Sequence, residues 1–92
     1  MSAAPAATVE VRFFAALRER AGVDRLTVTP PAPALVSVAA LCDWLAGQTP
    51  QLGRALGDTP RRMVAINEVL ATMDSALRDG DVVALFPPVT GG

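Results

Sequence analysis

The chain contains no histidine and no lysine, and only one cysteine, Cys42. Without histidine, neither a serine–histidine nor a cysteine–histidine nucleophile system can be assembled within it. One thiol forms no internal disulfide, no four-thiolate iron–sulfur site and no structural zinc site. Charge of one sign is also missing. Eight basic residues, all Arg, stand against nine acidic ones for a formal net charge of −1, whereas a nucleic-acid-binding domain shows a basic excess. Long hydrophobic runs are absent: residues 1–8 lack the positive segment and apolar stretch of a signal peptide, and nothing approaches the length of a membrane span. These absences predict a cytoplasmic globular protein that binds no metal, no nucleic acid, no membrane and no cofactor of its own.

What is present suffices for one small core. A 92-residue chain buries only about 60% of the surface its unfolded form exposes, so nearly every apolar side chain counts. Hydrophobic residues make up 51% of the chain, but 17 of them are Ala. Residues 1–7 (MSAAPAA) have nothing to bury and are expected to form a flexible leader. Residues 8–86 read as the folded domain and residues 87–92 as an extended tail.

Within the domain the hydrophobic period changes from element to element. Val9, Val11 and Phe13 alternate with Thr8, Glu10, Arg12 and Phe14, which predicts a strand with the first set on one face. Residues 15–21 (AALRERA) are helix formers closed by Gly22. Leu26 and Val28 mark a second strand, ended by Pro30, Pro31 and Pro33. Ser37 is a candidate N-cap for the main helix, whose stripe is Val38, Leu41, Cys42 and Leu45. Thr49-Pro50 starts another short helix through Leu52 and Leu56 to Gly57. Residues 63–67 (MVAIN) form a third strand with Val64 and Ile66 inward, and residues 69–72 a brief fourth. Asp79-Gly80-Asp81 is a turn, and residues 82–86 are the last strand, with Val83 and Leu85 on one face. The order predicts an α+β fold: one main helix across a small mixed sheet, with the first and last strands parallel. That is a β-grasp, ubiquitin-like arrangement.

After Phe86 the sequence reads Pro87-Pro88-Val89-Thr90-Gly91-Gly92. The two prolines favour an extended exit from the body, and six extended residues reach at most about 20 Å. Gly91 and Gly92 have no side chains, so a terminal carboxylate can pass through a channel too narrow for any Cβ. A carboxylate must be activated before acyl chemistry, for example as a mixed anhydride with AMP that yields to a sulfur or amine nucleophile. The chain would supply reach and slenderness, and other proteins the catalysis.

Three stretches, residues 11–22 (VRFFAALRERAG), 64–70 (VAINEVL) and 79–92 (DGDVVALFPPVTGG), resemble the small subunits of molybdopterin synthase, ubiquitin-like sulfur carriers of molybdenum-cofactor biosynthesis. The resemblance implies that Gly92, preceded by Gly91, is adenylated by an ATP-dependent activating enzyme and converted to a thiocarboxylate. It implies that the carrier then docks on the large synthase subunit, in a heterotetramer of two small and two large subunits, and that sulfur passes to cyclic pyranopterin monophosphate. It implies a docking surface that includes Phe14, Arg18, Leu70 and Phe86, with Pro87, Pro88, Val89 and Thr90 entering the partner's active site. The longer leader and the proline-rich segment 30–34 depart from the family pattern.

Strand phase independently points to a partner. Phe14 and Phe86 fall on the face away from the helix, with Val82, Ala65 and Ala84, as an apolar patch typical of an interface. Cys42 suggests a persulfide carrier, but its place on the apolar stripe predicts a packed, inert thiol. Asp79 and Asp81 read as turn residues and Arg61-Arg62 as solvated surface. Of Arg18 and Arg20, at least one is expected to pair with acids across the docking face, and Trp44 is expected to cover the core's edge. Two other functions stay open: a carrier for thiazole or cysteine biosynthesis, and a protein modifier joined through Gly92 to target lysines. A chain without lysine cannot form lysine-linked polymers of itself. A noncovalent β-grasp interaction module would need no free glycine terminus.

Overall fold

The computed structural model describes residues 7–88. The leader up to residue 6, and Val89, Thr90, Gly91 and Gly92 of the tail, lie outside the described residues. The elements follow as β1 (Val9–Phe13), α1 (Ala15–Ala21), β2 (Arg25–Val28), α2 (Val38–Ala46), α3 (Pro50–Gly57), β3 (Met63–Ile66), β4 (Val69–Ala71) and β5 (Val82–Phe86).

The strands form one mixed sheet in the order β2-β1-β5-β3-β4. The β1–β5 pair is parallel and the other three pairs are antiparallel. Alternation decides which face is buried: Val9, Val11 and Phe13 of β1, Val83 and Leu85 of β5 and Val64 of β3 all point to the helices and are fully buried. Against them lie the α2 stripe of Val38, Leu41, Cys42 and Leu45, with Leu17 of α1 and Leu52, Ala55 and Leu56 of α3. Ile66 and Trp44 pack at the edge of this cluster. A helix laid across a mixed sheet with a parallel central pair is the β-grasp architecture.

Local chemistry starts and stops the helices. The Ser37 hydroxyl accepts the Ala40 amide at 3.0 Å, and the Thr49 hydroxyl accepts the Leu52 amide at 3.1 Å; each satisfies a donor that the first helical turn leaves free. Gly22 ends α1 at φ 78, with its amide donating to the Arg18 carbonyl. A Cβ at Gly53 would stand 2.8 Å from the Ala46 carbonyl oxygen, so the close approach of α3 to α2 requires glycine there.

Three details differ from the sequence reading. The third strand stops at Ile66, because Asn67 (φ 51) and Glu68 (φ 69) take left-handed conformations, as a type I′ hairpin requires of both central residues. The fourth strand stops at Ala71, short of Thr72. The proline-rich segment is more than a strand terminator. Pro30 is buried, and residues 32–35 wind into a 3-10 turn whose Ala34 amide donates to the Pro31 carbonyl at 2.9 Å. The Leu77 amide then donates to the Leu35 carbonyl at 2.9 Å, so this segment closes one end of the core.

Candidate docking face

The register aligns one outward-facing residue from every strand: Leu70 opposite Ala65, Ala65 opposite Ala84, Ala84 opposite Arg12, and Arg12 opposite Arg25. This rung is apolar on β4, β3 and β5 and cationic on β1 and β2. One step toward the tail, Met63 stands opposite Phe86. Beyond the Phe13–Leu85 pair, the Phe14 amide donates to the Leu85 carbonyl at 3.1 Å, extending the parallel pairing past β1. Phe14 is 44% exposed, Met63 38% and Leu70 66%, whereas Phe86, Ala84, Ala65 and Val82 are half-buried. The structure therefore brings Phe14, Leu70 and Phe86 to one face, with Ala65, Ala84 and Val82 as expected from strand phase.

The turn from strand to helix leaves Phe14 outward. Phe14 is extended (φ −130, ψ 155) and Ala15 takes φ 54, so the chain reverses through a left-handed alanine. Pro87, half-buried, and Pro88, exposed, follow directly after Phe86, which starts the tail at this same end of the sheet. Val89, Thr90, Gly91 and Gly92 lie outside the described residues.

The two helical arginines separate. Arg20 donates to the Thr59 hydroxyl at 2.9 Å and the Asp58 carbonyl at 3.3 Å, which ties α1 to the end of α3. Arg18 is exposed, and its side chain makes no hydrogen bond among the described residues. It lines a shallow groove of about 260 Å³ with Arg12, Phe13, Phe14, Asp24 and Arg25.

Other singled-out residues take structural places. Cys42 is buried, and burial pushes its thiol pKa up, outweighing the opposing pull of the nearby Arg62 guanidinium. Asp79 accepts the Thr8 amide at 2.7 Å, while Asp81 accepts the Asn67 side-chain amide at 2.9 Å and the Arg78 amide at 2.8 Å. Both carboxylates hold turns. Arg61 is exposed as read, but Arg62 is half-buried and donates to the Leu56 and Thr59 carbonyls at 2.7 and 2.8 Å. It satisfies carbonyls freed at the end of α3. Among the described residues, no group of three or more His, Cys, Asp or Glu side chains is placed to hold a metal ion, and no helix is long and apolar enough to cross a membrane.

Met63 was missing from the sequence-derived site. The same alternation that turns Val64 and Ile66 inward puts Met63 and Ala65 outward, so the signal was in the strand. Arg12 also interrupts the patch where β1 crosses it, confining the apolar half to β5, β3, β4 and the Phe14 end.

Sheet order, helix placement and this two-part outer face define a small ubiquitin-like β-grasp protein. The chain belongs to the ThiS family, which it matches over residues 11–92. It is 42% identical over 84 residues to the molybdopterin synthase sulfur carrier subunit of Escherichia coli (strain K12), covering 91% of this chain and 99% of that one. Among solved structures, it resembles the small archaeal modifier protein 1 of H. volcanii with a TM-score of 0.71 and 29% identity, over 90% of this chain and 99% of that one. It also resembles a chain in the complex of subunits 1 and 2 of the molybdopterin-converting factor from Helicobacter pylori, with a TM-score of 0.58 and 30% identity, over 92% and 99% of the two chains.

Proposed function

We propose that this chain is a sulfur carrier and the small subunit of a molybdopterin synthase, acting in the cytoplasm. The observation that carries this reading is the 42% identity to the E. coli carrier subunit across 99% of its length. The exposed Phe14, Met63 and Leu70 around Phe86 support it, because an apolar patch on a sheet face marks a protein interface. In this reading an activating enzyme joins the Gly92 carboxylate to AMP from ATP, releasing pyrophosphate. A sulfur donor displaces AMP and leaves a thiocarboxylate. The charged carrier docks through Phe14, Arg18, Leu70 and Phe86 on the large subunit, two of each forming the synthase. Pro87 to Thr90 lead Gly91 and Gly92 into the large subunit's site, where sulfur passes to cyclic pyranopterin monophosphate. The carrier is a consumable cosubstrate, and the catalytic groups belong to its partners.

Removing Gly92, or adding one residue after it, should abolish sulfur transfer while leaving the thermal midpoint unchanged, because a glycine has no side chain to contribute to a core. Transfer at the wild-type rate by either variant would refute the reading. The likeness to an archaeal modifier protein favours one second reading, attachment of Gly92 to lysines of other proteins. Isopeptide-linked adducts in place of a thiocarboxylate would select it.

A further inference from the structure

Arg12 and Arg25 are direct partners in the antiparallel β1–β2 ladder, so two guanidinium-bearing side chains stand opposite each other on one exposed face. Like charges directly opposite destabilise a strand pair. Glu10 forms an ion pair with Arg12, the one ion pair among the described residues, which offsets part of that repulsion and leaves the rest. Arg25 has neither a side-chain hydrogen bond nor an ion pair there, and Arg18, across the shared groove, is equally free. Asp24 is the one carboxylate lining this groove, and it makes no ion pair with any of the three arginines. The free protein therefore carries an electrostatic cost at one spot on its surface. Phe14 borders that groove and also belongs to the apolar patch, so the charged and apolar halves are continuous.

We infer that Arg25, together with Arg12, extends the docking face across β1 and β2, and that its occupant is an acidic stretch of the large synthase subunit. The inference rests on the proposed function and deepens it: the partner's apolar residues cover Phe14, Met63, Phe86 and Leu70, and its carboxylates meet the arginines. Charge complementarity selects the occupant. Carboxylates brought against Arg25 and Arg12 gain attraction and relieve a repulsion the free carrier already bears. Such rim charges act mainly on association rate and register. The family resemblance implies a role for Arg18 but none for Arg12 or Arg25, so the cationic half distinguishes this carrier's partner by charge.

The test compares wild type, Arg25→Ala and Arg25→Glu in two measurements: association kinetics with the purified large subunit at low and high salt, and thermal unfolding of the free carrier. Arg25→Ala should unfold at the wild-type temperature or above it, since a repulsion is lost, yet associate more slowly. Arg25→Glu should slow association about tenfold at low salt, with the difference shrinking as salt rises. Equal rates and salt slopes for wild type and Arg25→Glu would overturn the inference alone. A lower unfolding temperature for Arg25→Ala would also overturn it, by showing that the pair stabilises the sheet. Failure of the wild-type carrier to bind the large subunit would overturn the proposed function and this inference with it.

Discussion

Phe14 and Phe86 stand level with each other on the outer face, each one residue beyond a member of the buried Phe13–Leu85 pair of parallel β1 and β5. Leu85 pairs with Phe13 and accepts the Phe14 amide at 3.1 Å. Because side chains alternate along a strand, the same register that buries Phe13 and Leu85 turns both following aromatics away from the core. A slip of one residue would exchange the two sets and empty the core of Phe13. The strong burial of one face therefore fixes the composition of the other, and a mutation can be aimed at either.

Phe86 tests the outer face directly. Phe86→Asp should weaken binding to the large synthase subunit by more than about 2 kcal/mol, the scale of an interface hot spot. It should cost about 1 kcal/mol or less of folding stability, since Phe86 points away from the core. Titration calorimetry and thermal unfolding check the two parts, and unchanged affinity would remove Phe86 from the interface.

Ala15 tests how Phe14 is held outward. A non-glycine residue in the left-handed region costs roughly 1–2 kcal/mol, partly offset on replacement by the extra freedom glycine brings to the unfolded chain. Ala15→Gly should therefore raise stability by up to about 1 kcal/mol. Ala15→Val should lower it by more than about 1 kcal/mol, because a β-branched residue resists φ 54. Denaturant midpoints for the pair measure both signs.

Cys42 makes a pH prediction unusually clean. With no His, Lys or Tyr in the chain, this thiol is the one side chain that titrates between about pH 7 and 12. Burial raises its folded pKa above the ordinary 9.0. As pH rises through 9, the unfolded chain releases the thiol proton first, so stability is constant below that point and falls above it. Urea midpoints at about pH 8 and pH 10.5 should show the fall in wild type and not in Cys42→Ala. A flat wild-type profile would contradict the burial.

Asn67 clamps the β3–β4 hairpin to β5. Its side-chain oxygen accepts the Val82 amide at 2.9 Å, and its nitrogen donates to Asp81 at 2.9 Å, while its backbone takes φ 51. Asn67→Ala loses both bonds and a residue type that tolerates this conformation. A loss of about 1–2 kcal/mol is expected, with faster amide exchange at Val82.

Much of the fold was legible because its signals are local. Val9, Val11 and Phe13 alternate, Val38, Leu41, Cys42 and Leu45 repeat at helical spacing, and Ser37 and Thr49 stand where caps belong. What could not be read depends on pairing between distant segments. Nothing near Arg12 in sequence shows that Arg25 will face it, and Arg62 looks like surface until the end of α3 presents carbonyls to it. The burial of Pro30 likewise follows from where the chain docks. Of the site, Phe14, Phe86, Ala65 and Ala84 followed from strand phase, and Leu70 from the family resemblance alone. Met63 was equally readable from alternation.

The central claim is that Gly92 carries sulfur. It is tested most directly by incubating the protein with ATP, its activating enzyme and a sulfur donor, then taking an intact mass and mapping the C-terminal peptide. The account predicts replacement of one oxygen by sulfur, confined to that peptide and dependent on ATP. An unchanged mass under conditions where the activating enzyme adenylates the carrier, or sulfur found on Cys42 instead, would contradict it.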